Sequence, residues 1–205
     1  MTGPAGPDAA SLAPALQSSL ILASASPRRH DLLARIAVTP RAIVAADIDE
    51  APLPRELPRD YARRMAREKA LAVSSESDHV LAGDTVVAVG RRILPKAGTE
   101  AAARHCLDLL SGRRHRVLSA VALKLPDGRL RERLSETIVR FKPLSAAEIE
   151  AYLAGGEWRG KAGGYAIQGS AEGLIAWISG SHSGVVGLPL FETRSLLLSA
   201  GFVLG

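Results

Sequence analysis

The sequence predicts an α/β fold built on a mixed β-sheet. Three observations carry the prediction. From residue 20 to residue 110, short apolar runs of strand length alternate with stretches whose apolar residues recur at helical spacing. Beyond them, two long strand-like runs, 115–125 and 130–141, are joined by Pro126-Asp127-Gly128, a hairpin turn. Alternation alone favours parallel strands, whereas a hairpin requires antiparallel ones, so the sheet is expected to be mixed. Third, no repeat and no linker divides the chain after residue 18, so 19–205 is expected to form a single domain.

The elements follow in order. Residues 19–23 are an apolar run read as a buried strand. Ser26 stands at a helix N-cap and Pro27 at the first helical position, ahead of an apolar face of Leu32, Leu33 and Ile36. A second strand is expected over 41–46. The acidic, proline-rich stretch 47–58 reads as a loop, and 59–73 as a helix. Residues 79–89 form a strand with one anomaly, Asp84. Gly90-Arg91 turns it back into 92–94. Thr99 caps a helix over 100–110 that Ser111-Gly112 stops. After the hairpin, Ser145-Ala146-Ala147-Glu148 is a capping box that opens a helix ending at Gly155-Gly156. A glycine-rich stretch over 160–173, a strand over 174–178 and a final helix over 188–199 complete the chain.

Composition narrows the function classes. At 47% hydrophobic and 23% charged residues the chain is ordinary for a globular protein. No apolar run approaches the roughly 20 residues of a membrane span. Residues 1–18 are rich in Ala, Pro and Gly and lack the basic and apolar regions of a signal peptide, so they are expected to be a disordered extension on a cytoplasmic protein. Cys106 is the sole cysteine, which excludes an internal disulfide; beside Leu107, Leu109 and Leu110 it reads as a buried structural thiol. The net charge of +5 suits polyanionic partners, nucleotides among them. The basic residues are scattered, with no continuous stripe, so no stable nucleic-acid complex is expected. Only five of the 26 basic residues are lysines, and Lys69, Lys96 and Lys161 share a Lys-Ala context.

Several segments carry chemistry. Residues 24–29 join a strand to a helix N-terminus, where free N–H groups and the helix dipole favour an anion, and Arg28 and Arg29 can grip phosphate oxygens; the same residues also suit a plain cap with a solvated Arg pair. Asp84 interrupts Val80-Leu81-Ala82-Gly83-Asp84-Thr85-Val86-Val87-Ala88-Val89, where a carboxylate is costly unless paired or bound to metal. The other reading is a strand-end Asp facing solvent. A buried carboxylate is costly when uncompensated without its metal, so Asp84→Asn is expected to leave stability unchanged or raised. Asp47-Ile48-Asp49-Glu50 brings three more carboxylates which, with Asp84, suit Mg²⁺. In the glycine-rich segment Gln168 has the donor and acceptor needed to read a base edge, though taken by itself the segment reads better as a glycine-rich turn with a packed Tyr. His105, His115 and His182 lack metal-ligand spacing and read as surface or structural. No Gly-x-x-x-x-Gly-Lys-Ser/Thr loop is present.

Taken together, seven ordered segments resemble the Maf family of nucleoside triphosphate pyrophosphatases, once described as septum-formation inhibitors. They are 22–29 (Leu-Ala-Ser-Ala-Ser-Pro-Arg-Arg), Asp49-Glu50, Glu68-Lys69-Ala70, 83–87 (Gly-Asp-Thr-Val-Val), Leu110-Ser111-Gly112-Arg113, 161–169 (Lys-Ala-Gly-Gly-Tyr-Ala-Ile-Gln-Gly) and 185–190 (Val-Val-Gly-Leu-Pro-Leu). The resemblance runs from about Leu20 to the last helix. It implies an elongated α/β structure with a cleft between two lobes, as in Maf and ITPase-like proteins, assembled as a homodimer. It implies hydrolysis between the α and β phosphates with Mg²⁺ or Mn²⁺. By position, Ser24, Arg28, Arg29, Lys69 and Lys96 would line the triphosphate, with Lys161 beside them. Glu50 and Asp84 would bind metal, and Asp84 would accept a proton, with Lys96 supporting catalysis. Arg28, Thr85 and Gln168 are similar to the branch of the family acting on dTTP and UTP. The chain departs from the family pattern at Ala97, where Pro is usual, and at Gly160, where Asp is usual, which bears on Lys96 and Lys161. A nucleotide-binding regulator of cell division on the same fold is the competing expectation, and a nucleic-acid binder a third; turnover with metal separates the first two.

Overall fold

The computed structural model describes residues 19–204. The extension expected over 1–18 lies outside the described residues. Strands β1 (Leu20–Ala23), β2 (Ala42–Ile43), β3 (His79–Val89), β4 (Arg92–Leu94), β5 (Arg114–Lys124), β6 (Leu130–Phe141) and β7 (Ile175–Ser179) form one seven-stranded sheet. Its order is β2-β1-β3-β5-β6-β7, with β4 paired to β3 off that path. The β2-β1-β3 part is parallel and the remainder antiparallel, so the sheet is mixed as the sequence predicts. β3, β5 and β6 are 11, 11 and 12 residues long, roughly 36–40 Å each.

Among the described residues six α-helices pack with the sheet: α1 (Pro27–Ala34), α2 (Pro58–Ala72), α3 (Glu100–Leu110), α4 (Ala146–Gly155), α5 (His182–Val186) and α6 (Leu190–Ser199). The period of two in β3 separates the two faces. Val80, Ala82 and Val86 pack with Ala62, Ala66 and Ala70 of α2 in one cluster. Leu81 and Val87 join a larger cluster that gathers Leu32 and Leu33 of α1, Leu107 and Leu110 of α3, and Leu196 and Leu197 of α6. Small residues on both sides let α2 lie close to the strand, and Lys69 of α2 is buried there.

Two of the three predicted caps form, while Ser26 stands at the N-cap of α1 without a side-chain cap bond. Thr99 accepts from the Ala102 N–H, and Ser145 and Glu148 close the capping box. Gly156 ends α4 in the left-handed region at φ +72°. Cys106 is buried in the core. Three expectations need correction. The strand expected over 41–46 pairs only at Ala42–Ile43, because β1, its partner, ends at Ala23. The final helix begins at Leu190, behind Pro189. A short helix, α5, lies in a stretch with no predicted element, capped by Ser181, whose side chain accepts from the Gly184 N–H.

One topological feature positions the site. β1 pairs with β3 from His79 to Ala82, and β4 pairs with β3 from Val87 to Val89, both on the side of β3 away from β5. Neither reaches residues 83–86. The sheet is open along that stretch, which contains the anomalous Asp84.

His115 anchors the wall of this opening. It is buried on β5, stacks on Phe141 and shares a 2.8 Å hydrogen bond between its Nε2 and the Tyr165 hydroxyl. Its Nδ1 has no partner among the described residues. Burial therefore drives its pKa from 6.5 down to about 4. The folded state favours the neutral ring, so stability is lost as the pH falls from 6.5 towards 4 and the unfolded chain takes up the proton first. From pH 7 to pH 5 the loss is about 2 kcal/mol at 1.36 kcal/mol per pKa unit. Urea unfolding at the two pH values should show this loss in wild type. His115→Phe should lack that component; an unchanged pH dependence in the variant would mean that another group carries it.

Candidate active site

The opening in the sheet becomes a cleft of about 380 Å³. The ten residues that the resemblance places at the site line it: Ser24, Arg28, Arg29, Glu50, Lys69, Asp84, Thr85, Lys96, Lys161 and Gln168. They arrive from separate elements. β1 ends at Ala23 and the next three residues, Ser24 to Ser26, turn into α1. Ser24 is buried, and its Oγ accepts from the Ser26 N–H at 3.1 Å and from Arg29 Nη1 at 3.0 Å. Arg29 Nε donates to the Gly187 carbonyl at 2.8 Å, tying this loop to the end of α5. Burial lowers the Arg29 pKa, opposed by the charge of Asp84. Arg28 makes no ion pair among the described residues, and burial lowers its pKa also.

At the floor, Lys69 bridges the two carboxylates. Its Nζ lies 2.7 Å from Asp84 Oδ1 and 2.7 Å from Glu50 Oε1. The Lys69 and Asp84 side chains are only 8% and 6% exposed, so each depends on the other for compensation. Lys96 Nζ donates to Glu50 Oε2 at 2.5 Å. Partial burial opposes ionisation of Glu50, but hydrogen bonds from Lys69 and Lys96 outweigh it and bring its pKa down to about 2. Glu50 is thus an anion throughout the neutral range. Tyr61 donates to the Glu50 carbonyl at 2.8 Å, fixing the loop that carries it; burial and the charges of Asp84 and Glu50 push its pKa to about 12.

The four carboxylates expected to converge do not. Asp49 Oδ1 accepts from the Ala51 N–H at 2.8 Å, turning its own loop, and neither Asp47 nor Asp49 lines the cleft. No group of three or more His, Cys, Asp or Glu side chains suited to a metal exists among the described residues. Glu50 and Asp84 remain, both drawn to one cation, Lys69. Two hard carboxylates with room for phosphate oxygens and water fit Mg²⁺ or Mn²⁺, which seldom take an all-protein cage.

The glycine-rich segment forms the opposite wall. Gly163, at φ +67°, lies against Val87, where a Cβ would approach Val87 Cγ1 to 2.8 Å. Tyr165 is packed, as one reading of the segment held, and Gln168 is exposed at the cleft lining. The departures at Ala97 and Gly160 lie against each other. The Ala97 N–H donates to the Lys161 carbonyl at 3.0 Å, a bond proline could not make, and the Gly160 N–H donates to the Ala97 carbonyl at 2.9 Å. Lys96 also bridges to Ala162. These bonds tie the Lys96 and Lys161 segments together, and Lys96 reaches Glu50 from its segment. Burial lowers the Lys161 pKa, helped by the charge of Arg28.

Sequence reasoning missed Arg159 and the stretch Val185, Val186 and Gly187 as lining residues. Arg159 stands two residues before Lys161 and could have been noticed; the α5 residues carry no chemical signal. His105 and His182 are exposed and His115 is structural, as expected.

The Maf-like protein family matches residues 19–200. A dTTP/UTP pyrophosphatase of Novosphingobium aromaticivorans is 68% identical over 184 residues, covering 89% of this chain and 92% of that protein. One of Rhodospirillum rubrum is 63% identical over 185 residues, covering 89% and 88%. A dITP/XTP pyrophosphatase structure from Mycobacterium abscessus aligns at a TM-score of 0.42 and 20% identity, over 62% of this chain and 74% of that one.

The Lys69 bridge overturns the expectation that Asp84→Asn is neutral or stabilising, since the carboxylate is compensated. Asp84→Asn should destabilise by about 1–3 kcal/mol, because the ammonium keeps Glu50 alone. Lys69→Met, which strands the buried Asp84 carboxylate and leaves Glu50 with Lys96 alone, should cost about 3 kcal/mol or more. Urea unfolding at neutral pH measures both. An Asp84→Asn chain as stable as wild type would show that the bridge contributes nothing.

Proposed function

The chain belongs to the Maf family, and from that premise we propose that it hydrolyses dTTP and UTP to the nucleoside monophosphate and pyrophosphate. The observation that carries the proposal is the convergence in one cleft of two carboxylates with Lys69, Lys96, Arg28 and Arg29. Phosphoanhydride hydrolysis is governed by positioning and charge neutralisation, and this set supplies both. The relatives named dTTP/UTP pyrophosphatase supply the substrate.

In this reading the turn over residues 24–29 receives phosphate oxygens at the N-terminus of α1, with Arg28 as a free gripping group. Arg29, held by Ser24 and Gly187, is a fixed charge behind it. Lys96 and Lys161 approach from the glycine-rich wall and neutralise the distal phosphates. Glu50 and Asp84 would hold Mg²⁺ or Mn²⁺, which supplies Lewis-acid polarisation of the phosphate oxygens. Asp84 Oδ1 is committed to Lys69, whereas Oδ2 makes no protein hydrogen bond among the described residues and can accept a proton from the attacking water. Gln168 offers its amide to the base edge. The homodimer and a cytoplasmic setting belong to the same proposal; light scattering on the purified chain tests the former.

A screen of common and modified triphosphates with Mg²⁺ and Mn²⁺, detecting pyrophosphate, should find UTP and dTTP among the best substrates. Asp84→Asn should abolish turnover at saturating metal. Arg28→Ala and Lys96→Ala should each lower kcat/KM by about 10²-fold, as when a transition-state charge contact is lost. Release of no pyrophosphate from any nucleotide would refute the proposal, and near-wild-type turnover by Asp84→Asn would remove that residue from the reaction.

A further inference from the structure

Asp84 and Thr85 are neighbours on β3, so their side chains leave opposite faces of the sheet. Asp84 meets Lys69 on the α2 side. Thr85 lies on the other face, beside its register partner Ser119 on β5. On that face the cleft is lined by Val87, Ala162, Ala166, Val185 and Val186, a surface suited to a flat heterocycle rather than to phosphate.

The hydrogen bonds there have one consistent polarity. Ser119 is 1% exposed, and its Oγ lies 2.6 Å from the Gly184 carbonyl oxygen. A carbonyl only accepts, so the single hydroxyl proton of Ser119 lies on that contact. Thr85 Oγ1 lies 3.0 Å from Ser119 Oγ. With the Ser119 proton committed, Thr85 must be the donor of this second bond. Its own single proton therefore points into the protein, and its Oγ1 offers the cleft lone pairs alone.

We propose that Ser119 is a positioning residue for base selection: it fixes the Thr85 hydroxyl as an acceptor that takes the imide N3–H of uracil or thymine and rejects the N3 lone pair of cytosine. The inference rests on the pyrophosphatase reading above and adds the group that sets its preference. With N3–H taken by Thr85, the Gln168 amide is left to donate to a flanking carbonyl. A site that hydrogen-bonds a donor penalises an analogue presenting an acceptor, because two lone pairs are then forced together. Without Ser119 the Thr85 hydroxyl rotates freely and can donate to cytosine N3 instead.

The test is kcat/KM for UTP, dTTP and CTP on wild type, Ser119→Ala, Ser119→Thr and Thr85→Val. Wild type should prefer UTP to CTP. Ser119→Ala should narrow the UTP to CTP ratio by about tenfold, the scale of one mismatched group, with CTP improving relative to UTP. Ser119→Thr, which keeps the hydroxyl, should hold the wild-type ratio. A merely structural role for Ser119 would lower both substrates by one factor and leave the ratio unmoved, and that result overturns the proposal. Thr85→Val removes the same acceptor with Ser119 intact, so it must narrow the ratio too; a wild-type ratio in that variant overturns the proposal whether or not Ser119→Ala folds. Wild type that releases no pyrophosphate from UTP or dTTP refutes the pyrophosphatase reading itself, whereas an active wild type without UTP preference refutes only the role of Ser119.

Discussion

β3 is paired along one side by β5 from Val80 to Ala88, but along the other side by two different strands that do not meet. A strand exposed at an edge has unpaired backbone groups and normally ends or is covered. Here the central strand stays in the middle of the sheet while its edge opens for residues 83–86. The consequence is geometric. Consecutive residues of a strand face opposite sides, so an ordinary cleft on one sheet face receives only alternate side chains. At an edge opening both sets reach the same space, and Asp84 and Thr85 line one cleft from two faces. The turn into α1, the Lys96 loop and the glycine-rich segment all border that gap.

Charge placement follows from the opening. An aspartate fixed in a buried strand needs a counter-charge, and α2 supplies it with Lys69, whose neighbours facing the sheet are alanines small enough to admit a long side chain. Lys69 also draws Glu50, and Glu50 draws Lys96, so a single compensation for Asp84 organises four charged groups from α2, β3 and two loops. The buried Lys69–Asp84 pair is costly if either member is removed, while Glu50 and Lys96 stay open to the cleft. On the opposite face the order is set by neutral groups: Ser119 joins Thr85 to α5, and Gly187 at the end of α5 joins it to Arg29. The two halves of the cleft are thus locked by different kinds of bond to the same strand.

Most elements are legible in the sequence because their signals are local. Helical caps at Thr99 and Ser145, the turn at Pro126-Asp127-Gly128 and the left-handed Gly156 depend on a few adjacent residues, and each forms where its residues stand. The stretch 41–46 has strand composition but lacks a partner beyond Ile43, since pairing belongs to two segments at once. α5 has only five residues, too few to show a period, and is held by Ser181 and Ser119 from outside.

The chemical inventory of the site was likewise readable: an aspartate in an apolar strand, an Arg pair at a helix start and lysines in a basic set otherwise made of arginine are anomalies that composition makes visible. Their convergence from positions as far apart as Ser24 and Gln168 follows the ordered family motifs. The sequence did not separate Glu50 from Asp47 and Asp49, because three carboxylates in one loop are chemically alike. Only folding decided that Glu50 reaches Lys69 while Asp49 caps its own turn. Nor did it mark Ser119, one serine in an apolar strand, whose meaning lies in the direction of a single proton between Thr85 and Gly184. Residue type determines what a group is able to donate, accept or neutralise; which partner uses that capacity depends on distances between elements remote in sequence, and those exist only in the tertiary structure.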